Sequence, residues 1–142
     1  MNIYIAAAFE SLERLLPIRY VIQQTTSHKV VSTWLDEKPG ISKEGNSQYI
    51  LNQGKKCKYY ATRDVDELSN SDLVILDTFD LNERGGREFE VGFAYGLNVP
   101  IWRIGPPRNV FHYLPEIGKF KDWSTALELL KSVEYAKAKS VR

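Results

Sequence analysis

The chain has 142 residues, of which 43% are hydrophobic and 26% are charged, and its formal net charge is +1. These values are typical of a single globular domain, residues 1–142, and exclude a disordered or fibrous chain. Because the charge is balanced, we expect no binding to nucleic acid or to an acidic membrane surface. One cysteine, Cys57, and two histidines, His28 and His112, exclude an internal disulfide and argue against a zinc site.

The sequence shows neither a secretory leader nor a membrane span. Its start lacks a basic segment followed by a long apolar run, and no apolar stretch reaches the roughly 20 residues that cross a bilayer. We therefore expect a cytoplasmic protein.

The first part of the chain predicts two strands around one helix. Residues 3–9 are apolar at successive positions, as in a strand covered on both faces of a sheet, and they include three small alanines. Ser11 is a candidate N-cap for a helix that extends to about Gln24, and Pro17 predicts a kink or a late start of that helix. Residues 28–35 are rich in β-branched side chains and predict the second strand.

The middle of the chain predicts a helix, a strand and a second helix. A turn at residues 38–40 precedes a helix from about residue 46 to residue 70. Residues 72–77 form an apolar run that is typical of a buried strand. A polar loop at residues 81–86 then leads into a helix from about Arg87 to Leu97.

The last part predicts two strands and a final helix. Residues 99–104 form an apolar run, and residues 119–120 are a short candidate strand. The final helix begins near residue 122 or 124, where Thr125 and Glu128 match a capping box. Residues 136–142 are rich in lysine and alanine, and we expect them to fray.

The alternation of strands and helices predicts an α/β protein with a single-domain, flavodoxin-like, three-layer fold. Its parallel sheet would have about five strands, covered by helices on both faces. Ligands of such sheets bind outside the carboxyl ends of the strands, where the strand order reverses. Functional residues are therefore expected in the loops after the first, third and fourth strands.

The segment from Gly85 to Leu97 holds the most informative pattern. On a helix with about 100° per residue, one arc is apolar: Phe89, Val91, Phe93, Ala94 and Leu97. Glu90 falls in the middle of that arc, where a carboxylate is costly unless a partner holds it, and a place in the first turn would favour an anion. The pattern favours a positioned, ionised carboxylate under a pocket, or else a glutamate that extends to solvent.

Two glycines precede this helix. Gly85 and Gly86 open onto the helix N-terminus, where backbone amides can bind an anion, and Arg84 and Arg87 flank them. The glycine spacing is neither that of a dinucleotide-binding fingerprint nor that of a P-loop. The segment is therefore a candidate phosphate site or a flexible loop with solvated arginines.

Taken together, these motifs resemble the nucleoside 2-deoxyribosyltransferase family, which includes 2'-deoxynucleoside 5'-monophosphate N-hydrolases. The resemblance rests on residues 4–9, 71–76, 85–94 and 109–115, and it extends from the first strand to the last helix. The order and spacing of these segments are more specific than any one of them.

The resemblance implies three catalytic residues. Glu90 takes the place of the family's nucleophilic glutamate, which attacks the anomeric carbon of the sugar. Asp64 takes the place of the aspartate that faces the nucleobase and handles a proton, although its neighbours would also fit a solvated acidic cluster. Tyr4 takes the place of an aromatic residue whose hydroxyl orients the nucleophile, and a core aromatic residue fits the same strand position.

The loop positions and the resemblance together give a candidate substrate-binding set: Ala7, Ala8, Phe9, Asp77, Arg84, Gly86, Arg87 and Asn109. Arg84 departs from the family, whose members often carry an acid or a serine six residues before the nucleophile. This departure favours a 5'-phosphorylated or otherwise anionic substrate.

The implied activity is cleavage of the N-glycosidic bond of a 2'-deoxynucleoside or its 5'-monophosphate, by base transfer or by hydrolysis. For this chemistry we expect an ionised Glu90, an Asp64 whose pKa is raised by burial, and neither a metal nor a cofactor. The resemblance also implies a homodimer or higher homo-oligomer, because a neighbouring subunit often completes the family's site. The alternative is a nucleotide-binding module that senses or sequesters a nucleotide without turnover. A receiver domain fits less well, because Ala6-Ala7-Ala8 offers no acidic cluster after the first strand.

Overall fold

The computed structural model describes residues 1–37, 50–51, 53–82 and 84–140, without side-chain detail from residue 134 onward. Its strands in chain order are β1 (Asn2–Ala6), β2 (Lys29–Val30), β3 (Leu73–Asp77), β4 (Ile101–Ile104) and β5 (Gly118–Phe120). All neighbours pair in parallel, in the order β2-β1-β3-β4-β5. The predicted five-stranded, flavodoxin-like sheet is confirmed.

Helices cover both faces of the sheet. They are α1 (Leu12–Thr25), α2 (Gly54–Ser69), α3 (Gly86–Gly96) and α4 (Trp123–Ser140). Contacts between α1 and α4 form one outer layer, and contacts between α2 and α3 form the other. The predicted three layers follow from this arrangement, because each parallel crossover places its helix on a face of the sheet.

The two central strands are the most deeply buried. Residues 3–6 of β1 and all of β3 are buried, as their apolar sequence predicts for strands covered on both faces. Burial of each of these isoleucine or leucine side chains stabilises the folded protein by about 1.5–3 kcal/mol relative to leaving it exposed. The ends of β1 and β3 are therefore firmly placed, and side chains that leave the sheet there have a rigid base.

The predicted strand at residues 28–35 is wrong beyond β2. The chain instead forms a 3₁₀-helix at Thr33–Asp36. The Ile5 N–H donates to Ser32 Oγ at 3.1 Å, and Trp34 Nε1 donates to the Ile5 carbonyl at 2.8 Å. Two side chains thus satisfy main-chain groups of β1 that a longer second strand would have paired. They also hold Trp34 at the carboxyl end of β1.

The start of α1 also differs from the prediction. The helix begins at Leu12 with Pro17 inside it, so the late start expected from the proline is wrong. Ser11 occupies the N-cap position, but its hydroxyl donates to Asp80 Oδ2 at 2.6 Å instead of capping the helix.

The final helix is capped one turn earlier than predicted. Asp122 Oδ1 accepts hydrogen bonds from the N–H and the hydroxyl of Thr125, at 2.9 and 2.8 Å. Thr125 is therefore inside the first turn, and the predicted capping box with Glu128 is wrong. The helix extends through Ser140, so fraying of residues 136–142 stays a prediction, and residues 141–142 lie outside the described part. The predicted turn at residues 38–40 and the start of the helix predicted from residue 46 also lie outside the described part.

Candidate active site

A cavity of about 520 Å³ opens at the carboxyl ends of β1 and β3. The chain passes from β2 on one side of β1 to β3 on the other, so the strand order reverses here. Open α/β sheets bind their ligands at this point. Seven of the predicted site residues line the cavity: Ala7, Phe9, Asp64, Arg84, Gly86, Arg87 and Glu90.

The carboxyl group of Glu90 faces β1 from α3. The Tyr4 hydroxyl donates a hydrogen bond to Glu90 Oε2, and Tyr4 itself is fully buried in β1. Burial raises the pKa of Glu90 to about 8, although the hydrogen bond from Tyr4 opposes the rise. Burial and the charge of Glu90 raise the pKa of Tyr4 above its ordinary value, so its hydroxyl keeps its proton and remains a donor.

The burial of α3 differs from the predicted apolar arc. The helix buries Arg87, Val91 and Ala94, whereas Phe89 is 60% exposed. Phe89 and Phe93 stack on each other with their ring centroids 6.1 Å apart. The predicted apolar arc is therefore only partly buried. Glu90 lies between the buried side of the helix and the phenylalanine pair.

The position of Glu90 along α3 also corrects an argument from the sequence. The helix begins at Gly86, so the acidic residue of the first turn is Glu88 and Glu90 lies in the second turn. The favourable effect of a helix N-terminus on an anion is confined to the first turn. The hydrogen bond from Tyr4 and, to a smaller extent, the charge of Arg63 therefore favour the ionised form of Glu90, rather than the helix dipole.

Asp64 lines the cavity from α2 and is held by the residue that precedes it. Arg63 donates to Asp64 Oδ1 from Nε at 3.0 Å and from Nη2 at 2.8 Å, and its Nη2 also donates to Glu37 Oε1 at 2.6 Å. Each carboxyl group thus keeps one oxygen that accepts no hydrogen bond from the described residues. Both residues line the cavity, and both free oxygens are available to a ligand.

The two carboxyl groups titrate in the opposite order to the one expected. Burial raises the pKa of Asp64 to about 6 against the opposing effect of Arg63, which confirms the predicted rise. The pKa of Glu90 lies higher still, at about 8, because its burial outweighs its hydrogen bond. The raised pKa of Glu90 opposes the expected ionised form, which stays a prediction.

Aromatic side chains form one wall of the cavity. The ring centroids of Phe9 and Trp34 lie 6.1 Å apart, and Tyr60 extends the wall from α2. The Arg63 guanidinium carbon lies 5.2 Å from the centroid of the Tyr60 ring. Such a wall stacks favourably on a flat heterocycle, since every base has a π-face.

The loop before α3 forms the polar mouth of the cavity. Gly85 has φ of 80°, and its N–H donates to Asn82 Oδ1 at 2.7 Å. Arg87 is buried, and it donates to the Asp80 carbonyl at 2.7 Å and to Glu88 Oε1 at 3.0 Å. These hydrogen bonds fix the start of the loop to the first turn of α3. Arg84 is exposed and forms no ion pair in the described part of the chain. Arg84 is therefore the cation that an anionic ligand would meet.

Three predicted substrate-binding residues lie away from the cavity. Asp77 is fully buried and accepts hydrogen bonds from Arg14 at 2.8 and 2.9 Å and from Trp123 Nε1 at 2.7 Å. Ala8 is buried and precedes a 3₁₀-helix at Phe9–Ser11. Asn109 caps another 3₁₀-helix, at Val110–Tyr113. None of the three lines the cavity, and their contact with substrate stays a prediction.

The sequence reasoning missed Glu37 and Tyr60, which line the cavity, and Arg63, which holds Asp64 beside it. The only signal was the position of Arg63 directly before Asp64. Glu37 follows the unpredicted 3₁₀-helix, and its approach to Arg63 depends on that turn.

The described ranges show neither a group of metal-binding side chains nor a membrane-spanning helix. There, no three or more histidine, cysteine, aspartate or glutamate side chains are grouped so that they could hold a metal ion. None of the helices in those ranges is long and apolar enough to cross a membrane.

Neither a protein-family model nor a curated protein matches this chain. Its fold is similar to that of a 2-deoxyribosyltransferase from Bacillus psychrosaccharolyticus, with a TM-score of 0.66 and 19% identity over 89% of this chain and 90% of that one. It is also similar to a CMP N-glycosidase of Clostridium botulinum, with a TM-score of 0.58 and 14% identity over 93% of this chain and 99% of that one. These likenesses confirm the predicted fold and agree with the predicted resemblance to nucleoside 2-deoxyribosyltransferases.

Proposed function

We propose that this protein cleaves the N-glycosidic bond of a 2'-deoxynucleoside or its 5'-monophosphate, with Glu90 as the nucleophile. The observation that carries the proposal is the pairing of Glu90 with the Tyr4 hydroxyl in the same cavity as a second carboxyl group, Asp64. The shared fold with a 2-deoxyribosyltransferase and a CMP N-glycosidase supports it.

The reaction is a displacement at the anomeric carbon. An ionised Glu90 oxygen forms a bond to that carbon while the bond to the base nitrogen breaks and its electron pair leaves with the base. Asp64 donates its proton to the departing base and becomes a carboxylate. Water then releases the sugar, which is hydrolysis, or a second base takes it, which is transfer.

The productive protonation state is the minor one in the free protein. The reaction needs a proton on Asp64 and none on Glu90, whereas the pKa values of about 6 and about 8 favour the reverse. The rate therefore follows a bell-shaped pH profile with limbs near pH 6 and pH 8, where the pair holds one proton.

Arg84 favours a 5'-monophosphate over the free nucleoside. It lines the cavity beside Gly86, at the N-terminus of α3, and is exposed without a carboxylate partner in the described residues. A guanidinium and the amides of a helix N-terminus together bind a phosphate group well. The aromatic wall formed by Phe9, Trp34 and Tyr60 would then stack on the base.

A nucleotide-binding module without turnover is the second candidate. It is favoured by the raised pKa of Glu90, because a protonated carboxyl group is a poor nucleophile. Such a module would use the same aromatic wall and the same arginine.

The test is release of free base from a panel of deoxynucleosides and their monophosphates, followed by chromatography. The parent protein is compared with Glu90→Gln and with the matched control Glu128→Gln, which changes an exposed residue of α4. We expect the control to match the parent and Glu90→Gln to lose about a thousandfold or more. Equal release by Glu90→Gln would refute the nucleophile, whereas tight binding without release by any form would favour the module.

The phosphate preference has its own variant. We expect Arg84→Gln to lose the preference for monophosphates over nucleosides while it keeps base release from the nucleosides. An unchanged preference would refute the role of Arg84.

A further inference from the structure

A second cavity, of about 300 Å³, lies at the carboxyl ends of β4 and β5 and shares no lining residue with the first. Three basic side chains line it: Arg103, Lys119 and Lys121. Its other lining residues carry no charge. The cavity is therefore uniformly positive in its charged lining.

The sheet register places two of these cations opposite each other. Arg103 of β4 pairs with Lys119 of β5, so both side chains project on the same face. Lys121 follows two residues later and lines the same cavity. Like charges directly opposite on neighbouring strands are destabilising, and no carboxylate of the described residues forms an ion pair with any of the three. An anion between them would reverse this repulsion.

Arg103 is a buried cation that forms no ion pair with a carboxylate of the described residues. It is 8% exposed, and it donates from Nε to the Gly105 carbonyl at 3.1 Å and from Nη1 to the His112 carbonyl at 2.7 Å. Carbonyl groups satisfy its hydrogen bonds but leave its charge uncompensated, which is costly for a buried ion. The other buried arginine of the described residues, Arg87, does have a carboxylate partner, Glu88, at 3.0 Å.

One nitrogen of Arg103 remains free to bind a ligand. Its Nη2 donates no hydrogen bond to the described residues, and no fully buried side-chain nitrogen in them lacks a partner, so Nη2 is not fully buried, and Arg103 itself lines the cavity. Lys119 is fixed at the rim, where Nζ donates to the carbonyls of Leu114 at 3.1 Å and Ile117 at 3.0 Å. The adjacent carboxylate of Asp122 caps α4 through Oδ1.

We propose that this cavity is a second anion site, which binds a phosphate group apart from the bond-cleaving cavity. A phosphate group offers several acceptor oxygens and up to two negative charges, which suit one guanidinium nitrogen and two ammonium groups. Binding of the anion stabilises the folded protein, because the unfolded chain has no such site.

The experiment is a titration with inorganic phosphate at constant ionic strength, followed by the NMR signals of the Arg103 Nε–H and the Gly105 amide. We expect saturable shifts at both signals. The double variant Lys119→Gln/Lys121→Gln should weaken binding about tenfold or more. The control Lys29→Gln removes one charge from an exposed lysine of the opposite edge strand, β2, and should leave binding unchanged. Shifts that do not saturate, or an equal loss in the control, would overturn the proposal.

Two further arms separate this site from the first cavity and identify the source of the phosphate group. Arg84→Gln should leave the shifts at Arg103 unchanged, and their loss would mean that phosphate acts only through the first cavity. The same titration with glycerol phosphate gives a second Kd. Tighter binding of glycerol phosphate would identify a phosphate ester as the ligand, and tighter binding of inorganic phosphate would identify the free ion. Because the readout does not depend on base release, its failure and that of the proposed activity can be told apart.

Discussion

The raised pKa of Glu90 makes a quantitative prediction about stability. In the unfolded chain its carboxyl group loses its proton near 4.5, and in the folded protein near 8. Between these values the folded state binds the extra proton, so the stability that it contributes is complete below pH 4.5 and is lost as pH rises toward 8. At about 1.4 kcal/mol per pH unit, the full window corresponds to about 5 kcal/mol as an upper limit, which water in the open cavity reduces.

Glu90→Gln removes this titration while it keeps the shape of the side chain. We expect the free energy of unfolding of the variant, minus that of the parent, to grow by about 2–5 kcal/mol from pH 4 to pH 9. Urea unfolding followed by tryptophan fluorescence measures the difference, and Glu128→Gln serves as the control with an exposed carboxyl group. Parallel curves for the parent and Glu90→Gln would show that Glu90 titrates normally, and the argument from its burial would be wrong.

Three further substitutions test neighbouring contacts. Tyr4→Phe removes the hydrogen bond that lowers the pKa of Glu90, so the alkaline limb of base release should move above pH 8 and the maximal rate should fall. Arg63→Gln removes the interactions that lower the pKa of Asp64, so the acid limb should move above pH 6; an unmoved limb in either pH–rate profile would refute the assigned contact. Asp77→Ala leaves Nε1 of the buried Trp123 without its acceptor and removes one of the two carboxylate partners of Arg14, so it should cost about 1–3 kcal/mol in urea unfolding, with the Kd for nucleotide unchanged. A changed Kd would place Asp77 in the site after all.

The central part of the sheet could be predicted because its signal is local. β1 and β3 are apolar at successive positions, and burial on both faces is the only environment that suits such runs. The length of β2 could not be predicted in the same way. Residues 28–35 are rich in β-branched side chains, but Ser32 and Trp34 bind the main chain of β1 with their side chains, and that competition is set by tertiary contact.

Among the candidate site residues, too, those with a local sequence signal could be predicted and those placed by tertiary contacts could not. Glu90 could be predicted from the sequence alone, because a carboxylate in the middle of an apolar helix arc is costly unless a partner holds it. The role of Asp77 could not, because its partners Arg14 and Trp123 lie 63 and 46 residues away and meet only in the folded sheet. Glu37 was missed for the same reason, since its contact with Arg63 spans 26 residues.

The placement of Glu90 explains how a costly carboxyl group is retained and why it suits the proposed chemistry. Val91 and Ala94 anchor α3 on the sheet, and Tyr4 rises from a strand that is paired on both sides, so donor and acceptor are both on rigid elements. A carboxylate held this way has few waters to displace when a sugar carbon arrives, and its orientation is set in advance. The same burial raises its pKa, so the protein gives up stability as Glu90 ionises. The lost stability would bring no benefit to a purely structural residue. A nucleophile benefits, because a poorly solvated carboxylate is more reactive.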